Sequence, residues 1–219
     1  MYKQKGMQTK EKLYQIAKDL FYEQGYHKTT MKQISDIAGI SSGNLTYYFS
    51  TKDKIVEELF HEYLERILTF IEDELLIEGS EENIYQTYLY SGIIFNVNIL
   101  KDEKTSRFFQ EVLLKRSLYE LIHTELDPVY QGLIKKYNLR MGSPIHYKYI
   151  SRADQGARRE VLLTFMETNE RLPLIDFSML ILRYTSQLIE VPLIEYYRAS
   201  LPVYNKLTAV DFSGIHLLN

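Results

Sequence analysis

A glycine corner between two short helical patterns constrains this chain more than any other feature. Gly39 lies inside the stretch Thr29–Lys52, and glycine adopts the left-handed backbone of a tight corner without a Cβ penalty. Before the corner, Thr30 has a glutamine three residues further on, which is the spacing of a capping box. After the corner, Ser41 or Ser42 can cap a second helix. The sequence therefore predicts two short helices that meet at a sharp turn.

The second short helix has few apolar positions. Leu45 and Phe49 stand four residues apart and are predicted to face the core. The remaining positions are left largely free of the core, and they are Ser42, Gly43, Asn44, Thr46 and Tyr47. Small residues let a backbone approach base edges, and hydroxyl groups can reach phosphates, so this helix suits the major groove of DNA.

Three segments in this region resemble the helix-turn-helix of TetR-family transcriptional regulators. They run from Ile37 to Ser41, from Gly43 to Phe49 and from Thr51 to Asp53. The resemblance implies an all-α protein in which an N-terminal three-helix helix-turn-helix DNA-binding domain spans residues 1–51. A long connector helix would join it to a C-terminal helical bundle, and residues 52–219 would together serve ligand binding and dimerisation.

Ten residues are candidates for DNA contacts. The start of the second short helix supplies the candidates for base contacts, which are Ser42, Gly43 and Asn44. The candidates for phosphate contacts are Lys28, Thr30, Ser41, Thr46, Tyr47, Tyr48 and Lys52. Tyr47 matches the tyrosine that is characteristic of the family, whereas the family often has an aromatic residue in place of Thr46 and a histidine in place of Tyr48. The alternative is that the two tyrosines only pack in the core.

Charge and composition bound the remaining function classes. Residues 1–56 hold nine lysines, no arginine and five acids, whereas the rest of the 219-residue chain has a net charge of −7. A basic N-terminal region on an acidic body favours a nucleic-acid contact at one end. The chain has no cysteine, which excludes disulfides, thiol catalysis and cysteine-ligated metals.

The sequence contains no catalytic motif. Its five histidines show neither HxH nor HExxH spacing, and there is no GxSxG or phosphate-loop glycine pattern. We therefore predict no enzyme activity, no metal and no cofactor. No apolar run is long enough for a membrane span and the N-terminus does not read as a signal peptide, so a cytoplasmic location is expected.

Helical periodicity continues along the rest of the chain. The first helix is predicted to begin at Thr9, and the connector helix is predicted to run from Lys52 to about Leu76. Ser80 is predicted to cap the helix that follows. Two later helices are predicted over Ser151–Thr168 and over Ile175–Ala199, the second with a kink at Pro192. Both have surplus apolar surface.

Binding partners follow from this organisation. One short helix reads one half-site, so we expect a two-fold homodimer on a pseudo-palindromic operator in double-stranded DNA, with the two later helices at the interface. The resemblance also implies a small hydrophobic or aromatic effector, for which the aromatic candidates are Tyr85, Tyr88, Phe95, Phe108, Phe109, Tyr130 and Phe165. Each of these could equally be plain core. Two alternatives remain at this stage: a DNA-tethered protein-interaction module without an effector, and an enzyme.

Overall fold

The computed structural model describes residues 2–77, 83–139, 142–168 and 172–218, and the side chains of residues 2–5 and 122 lie outside that description. Within these ranges the chain forms α-helices and no strand, which confirms the all-α prediction. The helices are α1 (Tyr2–Lys28), α2 (Met31–Ala38), α3 (Ser42–Tyr48), α4 (Lys52–Asp73), α5 (Ile84–Leu100), α6 (Glu103–Leu114), α7 (Arg116–Thr124), α8 (Asp127–Tyr137), α9 (Pro144–Glu167), α10 (Leu174–Leu188) and α11 (Leu193–Ala209).

Local signals build the helix-turn-helix as predicted. The Thr30 hydroxyl accepts from Gln33 N at 3.1 Å, and Thr30 N donates to Gln33 Oε1 at 2.9 Å, which completes the capping box of α2. Gly39 ends α2 with φ 73°. Ser41 then caps α3, because its hydroxyl accepts from Asn44 N at 3.2 Å. Leu45 is fully buried beneath α3.

Helix α1 begins earlier than predicted. It begins at Tyr2, so the predicted start at Thr9 is wrong. Thr9 could cap a helix only if the residues before it were not helical, and here residues 2–8 are already part of α1. Near the other end Gly25 has φ 83°, and its carbonyl oxygen accepts from the Thr29 hydroxyl at 2.8 Å.

Helix α4 begins at Lys52 as predicted and leads from the helix-turn-helix into the bundle. Thr51 caps it by accepting from Lys54 N at 3.3 Å. It ends at Asp73, three residues before the predicted end, and Leu76 follows with φ 56°. Its buried face extends along the whole helix, so α4 packs against both parts of the protein.

The C-terminal helices are divided differently from the prediction. Helix α9 begins at Pro144 with Ser143 as its cap, whereas the predicted cap Ser151 is buried within it. The predicted kinked helix is two helices, because Glu190 reverses the chain at φ 65° and Pro192 starts α11. The predicted cap Ser80 lies outside the described residues.

Helix α5 lies at the centre of the C-terminal bundle and packs against α4, α6, α8, α10 and α11. Helix α6 packs along α1, so the bundle reaches the N-terminal helices through α6 as well as through α4. The Phe108 ring of α6 lies 5.1 Å from the Phe21 ring of α1 and continues the apolar core between the two regions.

Candidate functional site

The outer surface of α3 is exposed as the sequence predicts. Ser41, Ser42, Gly43, Asn44 and Thr46 are all exposed. The Tyr47 side chain is 84% exposed, which separates it from the core tyrosines of the chain. The open N-terminal turn of α3 and the Tyr47 hydroxyl can therefore approach a flat or grooved partner without rearrangement.

Several candidate hydroxyls already have partners within the domain. The Thr46 hydroxyl donates to Ser42 O at 2.7 Å, and the Ser42 hydroxyl lies 3.3 Å from that of Ser35 on α2. The Thr30 hydroxyl belongs to the capping box. These groups fix the backbone of α2 and α3, so their phosphate contacts remain predictions.

The two lysine candidates differ. Lys28 is exposed. Lys52 is half-buried, and its ammonium donates to Tyr26 O at 2.6 Å and to Thr29 O at 2.7 Å. Burial, with the nearby charge of Lys115, lowers the pKa of Lys52. Lys52 thus ties α4 to the end of α1, and its phosphate contact remains a prediction.

Tyr48 is half-buried, and its ring stands edge-on to that of Tyr47 with the centroids 5.2 Å apart. The packing alternative therefore holds in part for Tyr48 and not for Tyr47. Its hydroxyl lies next to Gly6 near the start of α1.

A polar bridge joins the bundle to the N-terminal helices. Lys115, which follows α6, donates to both carboxylate oxygens of Asp53 at 2.6 and 2.7 Å and to the Tyr26 hydroxyl at 2.7 Å. Burial opposes ionisation of Asp53, but the hydrogen bonds from Lys115 and Tyr26 outweigh it and lower its pKa. Glu111 of α6 accepts from His27 N at 2.6 Å. The ends of α1, α4 and α6 are therefore held together.

The bundle contains a cavity of about 70 Å³. Three of the seven aromatic candidates line it, and they are Tyr88, Phe95 and Phe109. The rest of the wall comes from five helices and the turn after α7: Leu64, Ser91, Gly92, Asn96, Tyr119, His123, Leu126, Arg158, Leu162, Ile181 and Leu182. The wall is mainly apolar and carries a few polar groups, as ligand sites do.

The other four aromatic candidates belong to the surrounding core. The Tyr85 hydroxyl donates to Ser186 at 3.0 Å, and the Tyr130 hydroxyl donates to Asp154. Phe108 packs in the core against Phe21 and Phe60. The Phe165 ring stacks on that of Phe177 with the centroids 3.7 Å apart. None of these four lines the cavity.

Comparison with known proteins identifies the N-terminal region. The family described as bacterial regulatory proteins, tetR family, matches residues 13–59, a stretch that contains α2 and α3. Residues 13–59 therefore form a helix-turn-helix domain of the TetR family. KstR2 of Mycolicibacterium smegmatis, an HTH-type transcriptional repressor, is 38% identical over 56 residues, which are 26% of this chain and 27% of that protein. QacR of Staphylococcus aureus, an HTH-type transcriptional regulator, is 38% identical over 55 residues, or 25% of this chain and 29% of that protein.

The similarity in sequence thus spans little more than a quarter of these curated relatives, whereas the similarity in fold is wider. RolR, solved in complex with resorcinol, superposes with a TM-score of 0.64 at 14% identity over 90% of this chain and 95% of its own. FadR of Thermus thermophilus, solved in complex with lauroyl-CoA, gives 0.59 at 16% identity over 84% of this chain and 96% of its own. At such identity the comparison establishes the shared fold.

A buried polar network forms one side of the cavity in the C-terminal bundle. Arg158 Nε donates to Asp154 at 3.0 and 3.1 Å, and Arg158 Nη2 donates to Thr185 at 2.8 Å and to Tyr88. His123 Nε2 lies 3.1 Å from the Tyr130 hydroxyl. Burial alone would raise the pKa of Asp154, but the Arg158 guanidinium outweighs it and holds that pKa below its usual value. The pair is therefore ionised inside the bundle.

The sequence reasoning missed Asn96, His123 and Arg158. They come from α5, α7 and α9, so no spacing along the chain connects them. The one available signal was the four-residue spacing of Asp154 and Arg158, which is more often a surface ion pair. In this structure Asp154 and Arg158 lie on the buried face of α9, so their ion pair is internal.

The described ranges contain neither a cluster of side chains for a metal ion nor a helix that could span a membrane. No group of three or more His, Asp or Glu side chains there could hold a metal ion. Nor is any described helix long and apolar enough to cross a membrane.

Proposed function

We propose that this protein is a TetR-family transcriptional repressor that binds a pseudo-palindromic operator as a homodimer and leaves it when a small hydrophobic or aromatic effector binds. The exposed N-terminal surface of α3 carries the proposal, because it is a short helix with accessible backbone, an exposed amide at Asn44 and an 84% exposed phenol at Tyr47. The relatives in sequence named above include a repressor of the same helix-turn-helix type.

The roles on DNA follow from which groups are free. Asn44 and the backbone of Gly43 face outwards and suit base edges, whereas Tyr47 and Lys28 suit phosphates. Selection of bound duplexes from a random pool tests this directly. We expect a pseudo-palindrome with half-sites about one helical turn apart, or a multiple of it. If no sequence is enriched, or only a single unrepeated site, the result would count against a homodimer that binds two half-sites.

Variants of α3 separate the two roles. Tyr47→Ala should weaken binding to every duplex by about tenfold, since a hydrogen bond to a charged group contributes on that scale. Asn44→Ala should change the preferred bases. Tyr149→Ala, at a similarly exposed tyrosine on α9, is the control and should change neither. If Tyr47→Ala binds the selected operator as tightly as the parent, the phosphate role is wrong.

The homodimer is supported by an exposed apolar face on the last two helices. Within each helix its side chains recur at spacings of three and four residues, and they are Leu180, Tyr184 and Leu188 on α10 and Ile194, Tyr197 and Leu201 on α11. Such a face can form a four-helix interface with a second copy. Within residues 151–168 the exposed large apolar side chain is Val161. We therefore assign the interface to α10 and α11 instead of to that helix.

Sedimentation tests this assignment. Leu201→Glu should convert the dimer to a monomer and abolish cooperative operator binding. Ile145→Glu, at an equally exposed apolar position on α9, should leave the dimer intact. A dimer that survives Leu201→Glu places the interface elsewhere.

The cavity within the bundle favours an effector over the protein-interaction module that the sequence left open. It lies among α4, α5, α6, α7, α9 and α10, and α4 and α6 both reach the N-terminal helices. The two solved neighbours hold resorcinol and lauroyl-CoA, respectively. A bound molecule can shift DNA affinity only by its difference in affinity for the two states of the protein.

A further inference from the structure

The cavity wall carries hydrogen-bonding groups that the folded chain leaves unpaired. The Asn96 side chain is 5% exposed, lines the cavity and has no hydrogen-bond partner among the described residues. Asn98, two residues further along α5, is equally buried but donates to Phe212 O at 3.0 Å and accepts from Lys101 at 2.7 Å. The Asn96 amide lies at the open space of the cavity and is not sealed by protein atoms, so a molecule bound there can supply its missing hydrogen bond.

Arg158 adds a second unpaired group to the same wall. Its Nε and Nη2 donate to Asp154, Tyr88 and Thr185, while its Nη1 has no partner in the described part of the chain. Two N–H donors therefore remain on a guanidinium that is already held in place. Because Arg158 has no acceptor atom, its ligand must supply an acceptor.

The charge of the site limits that acceptor. Asp154 is fully buried and Arg158 nearly so, and together they cancel. An anionic ligand would bring an uncompensated charge into this interior, which costs far more than one hydrogen bond returns. An uncharged oxygen, such as a carbonyl or a hydroxyl group, avoids the cost.

The size of the cavity limits the rest of the molecule. Its 70 Å³ is about half of the roughly 150 Å³ of an apolar cavity known to hold benzene. A single ring is therefore the upper bound, and it requires outward movement of wall side chains. Leu64 and Leu126 are the partly exposed leucines of the wall, so they can move towards solvent. Phe95 and Phe109 supply faces for the ring to stack on.

We propose that the cavity takes an uncharged molecule of one aromatic ring that carries a hydrogen-bond acceptor, held by Arg158 Nη1 and by the Asn96 amide. The inference rests on the proposed function only where it implies that this molecule regulates DNA binding. The binding of the molecule itself is argued from the residues of the cavity wall.

Three probes of nearly equal shape separate the possibilities: acetophenone has a neutral acceptor, ethylbenzene has none, and benzoate is an anion. Calorimetric titration of the full chain should give acetophenone a dissociation constant about tenfold lower than that of ethylbenzene, which is the value of one hydrogen bond. A purely apolar cavity would prefer ethylbenzene, because that molecule leaves water more readily. Benzoate should bind at least tenfold more weakly than acetophenone.

A matched pair of variants on α5 assigns the preference. Asn96→Leu removes the unpaired amide at similar volume and should bring the two dissociation constants closer together, because only Arg158 Nη1 then remains to hold the acceptor. Thr87→Val is the control, because the Thr87 hydroxyl is buried on the same helix outside the cavity and donates to Asn83 O at 3.2 Å. It should leave the tenfold preference unchanged. If Asn96→Leu fails to fold, the dissociation constants of the three probes for the parent chain still test the inference.

The outcomes distinguish this inference from the proposed function. Ethylbenzene or benzoate binding as tightly as acetophenone, or none of the three binding at millimolar concentration, overturns the inference, whatever the protein does with DNA. If acetophenone binds with the expected preference while operator affinity stays the same, the inference holds and the effector part of the proposed function fails.

Discussion

The ion pair beside the cavity gives the sharpest prediction of stability. Arg158→Met should lower the free energy of unfolding by about 3–5 kcal/mol, because it leaves the fully buried Asp154 carboxylate without its counter-charge. At a urea slope of about 1–3 kcal/mol per M, the midpoint falls by more than about 1 M. Since the chain has no tryptophan, far-ultraviolet circular dichroism is the suitable probe of unfolding.

The control for this variant is Arg198→Met, which removes the same volume and charge from an exposed pair. Arg198 lies 2.8 Å from Glu195 on α11, and its side chain is 71% exposed. The loss there should be under about 0.5 kcal/mol. A loss below about 1 kcal/mol for Arg158→Met would refute the claim that this pair is desolvated.

Acidification supplies a second refutation. In the parent the pKa of Asp154 is lowered, so its contribution to stability is present at neutral pH and is lost as the pH falls. In Arg158→Met the same carboxyl is buried without Arg158, so its pKa rises and protonation relieves the unpaired charge. The gap between parent and variant should therefore shrink from about pH 7.5 to about pH 5. A gap that does not change with pH would contradict the electrostatic origin of the loss.

Two further predictions test single positions. The hydrogen bond to Glu125 raises the pKa of His61 above 6.5, so the pair stabilises the fold below that value and the effect is lost as the pH rises through the raised pKa. In urea titrations His61→Gln should therefore cost more stability at about pH 6 than at about pH 8.5. An equal cost at both pH values would contradict the pairing of His61 with Glu125. Gly39→Ala should destabilise by about 1–2 kcal/mol, since φ is 73° there, whereas Gly156→Ala within α9 should stabilise by about 0.5–1 kcal/mol. Both sites have open space around the added methyl, so thermal melts that show the same sign for both would contradict the backbone argument.

The helix-turn-helix could be predicted from the sequence because its signals are local. Thr30, Gly39 and Ser41 each act on a backbone group within four residues, so their spacing alone determines where α2 ends and α3 begins. The same reasoning failed between α10 and α11. Pro192 predicts a kink, but the helix is broken by Glu190, which has φ 65°. Positive φ is uncommon in residues other than glycine, so a glutamate in the sequence does not predict it.

The cavity could be predicted only in outline. Aromatic residues at helical spacing predict an apolar interior, but they do not tell which faces leave space, and Phe108 and Phe109 show the limit. They are adjacent on α6, yet Phe109 lines the cavity and Phe108 packs towards α1. The polar wall depends on three helices meeting, which is a tertiary property.

The position of α6 leads to a last prediction about how the cavity and DNA communicate. The connector α4 reaches both regions, but α6 also carries Phe109 at the cavity and is followed by Lys115, which donates to Asp53 and Tyr26. Lys115→Met should leave effector affinity nearly unchanged while it reduces the change in operator affinity that the effector causes, because coupling needs a contact that differs between the two states. Lys104→Met, which removes a more exposed pair between α6 and α1, is the control. Titration of operator binding with and without effector measures the coupling between the cavity and the DNA-binding helices. If the coupling is equal in the parent and in Lys115→Met, the prediction is wrong and the coupling passes through α4.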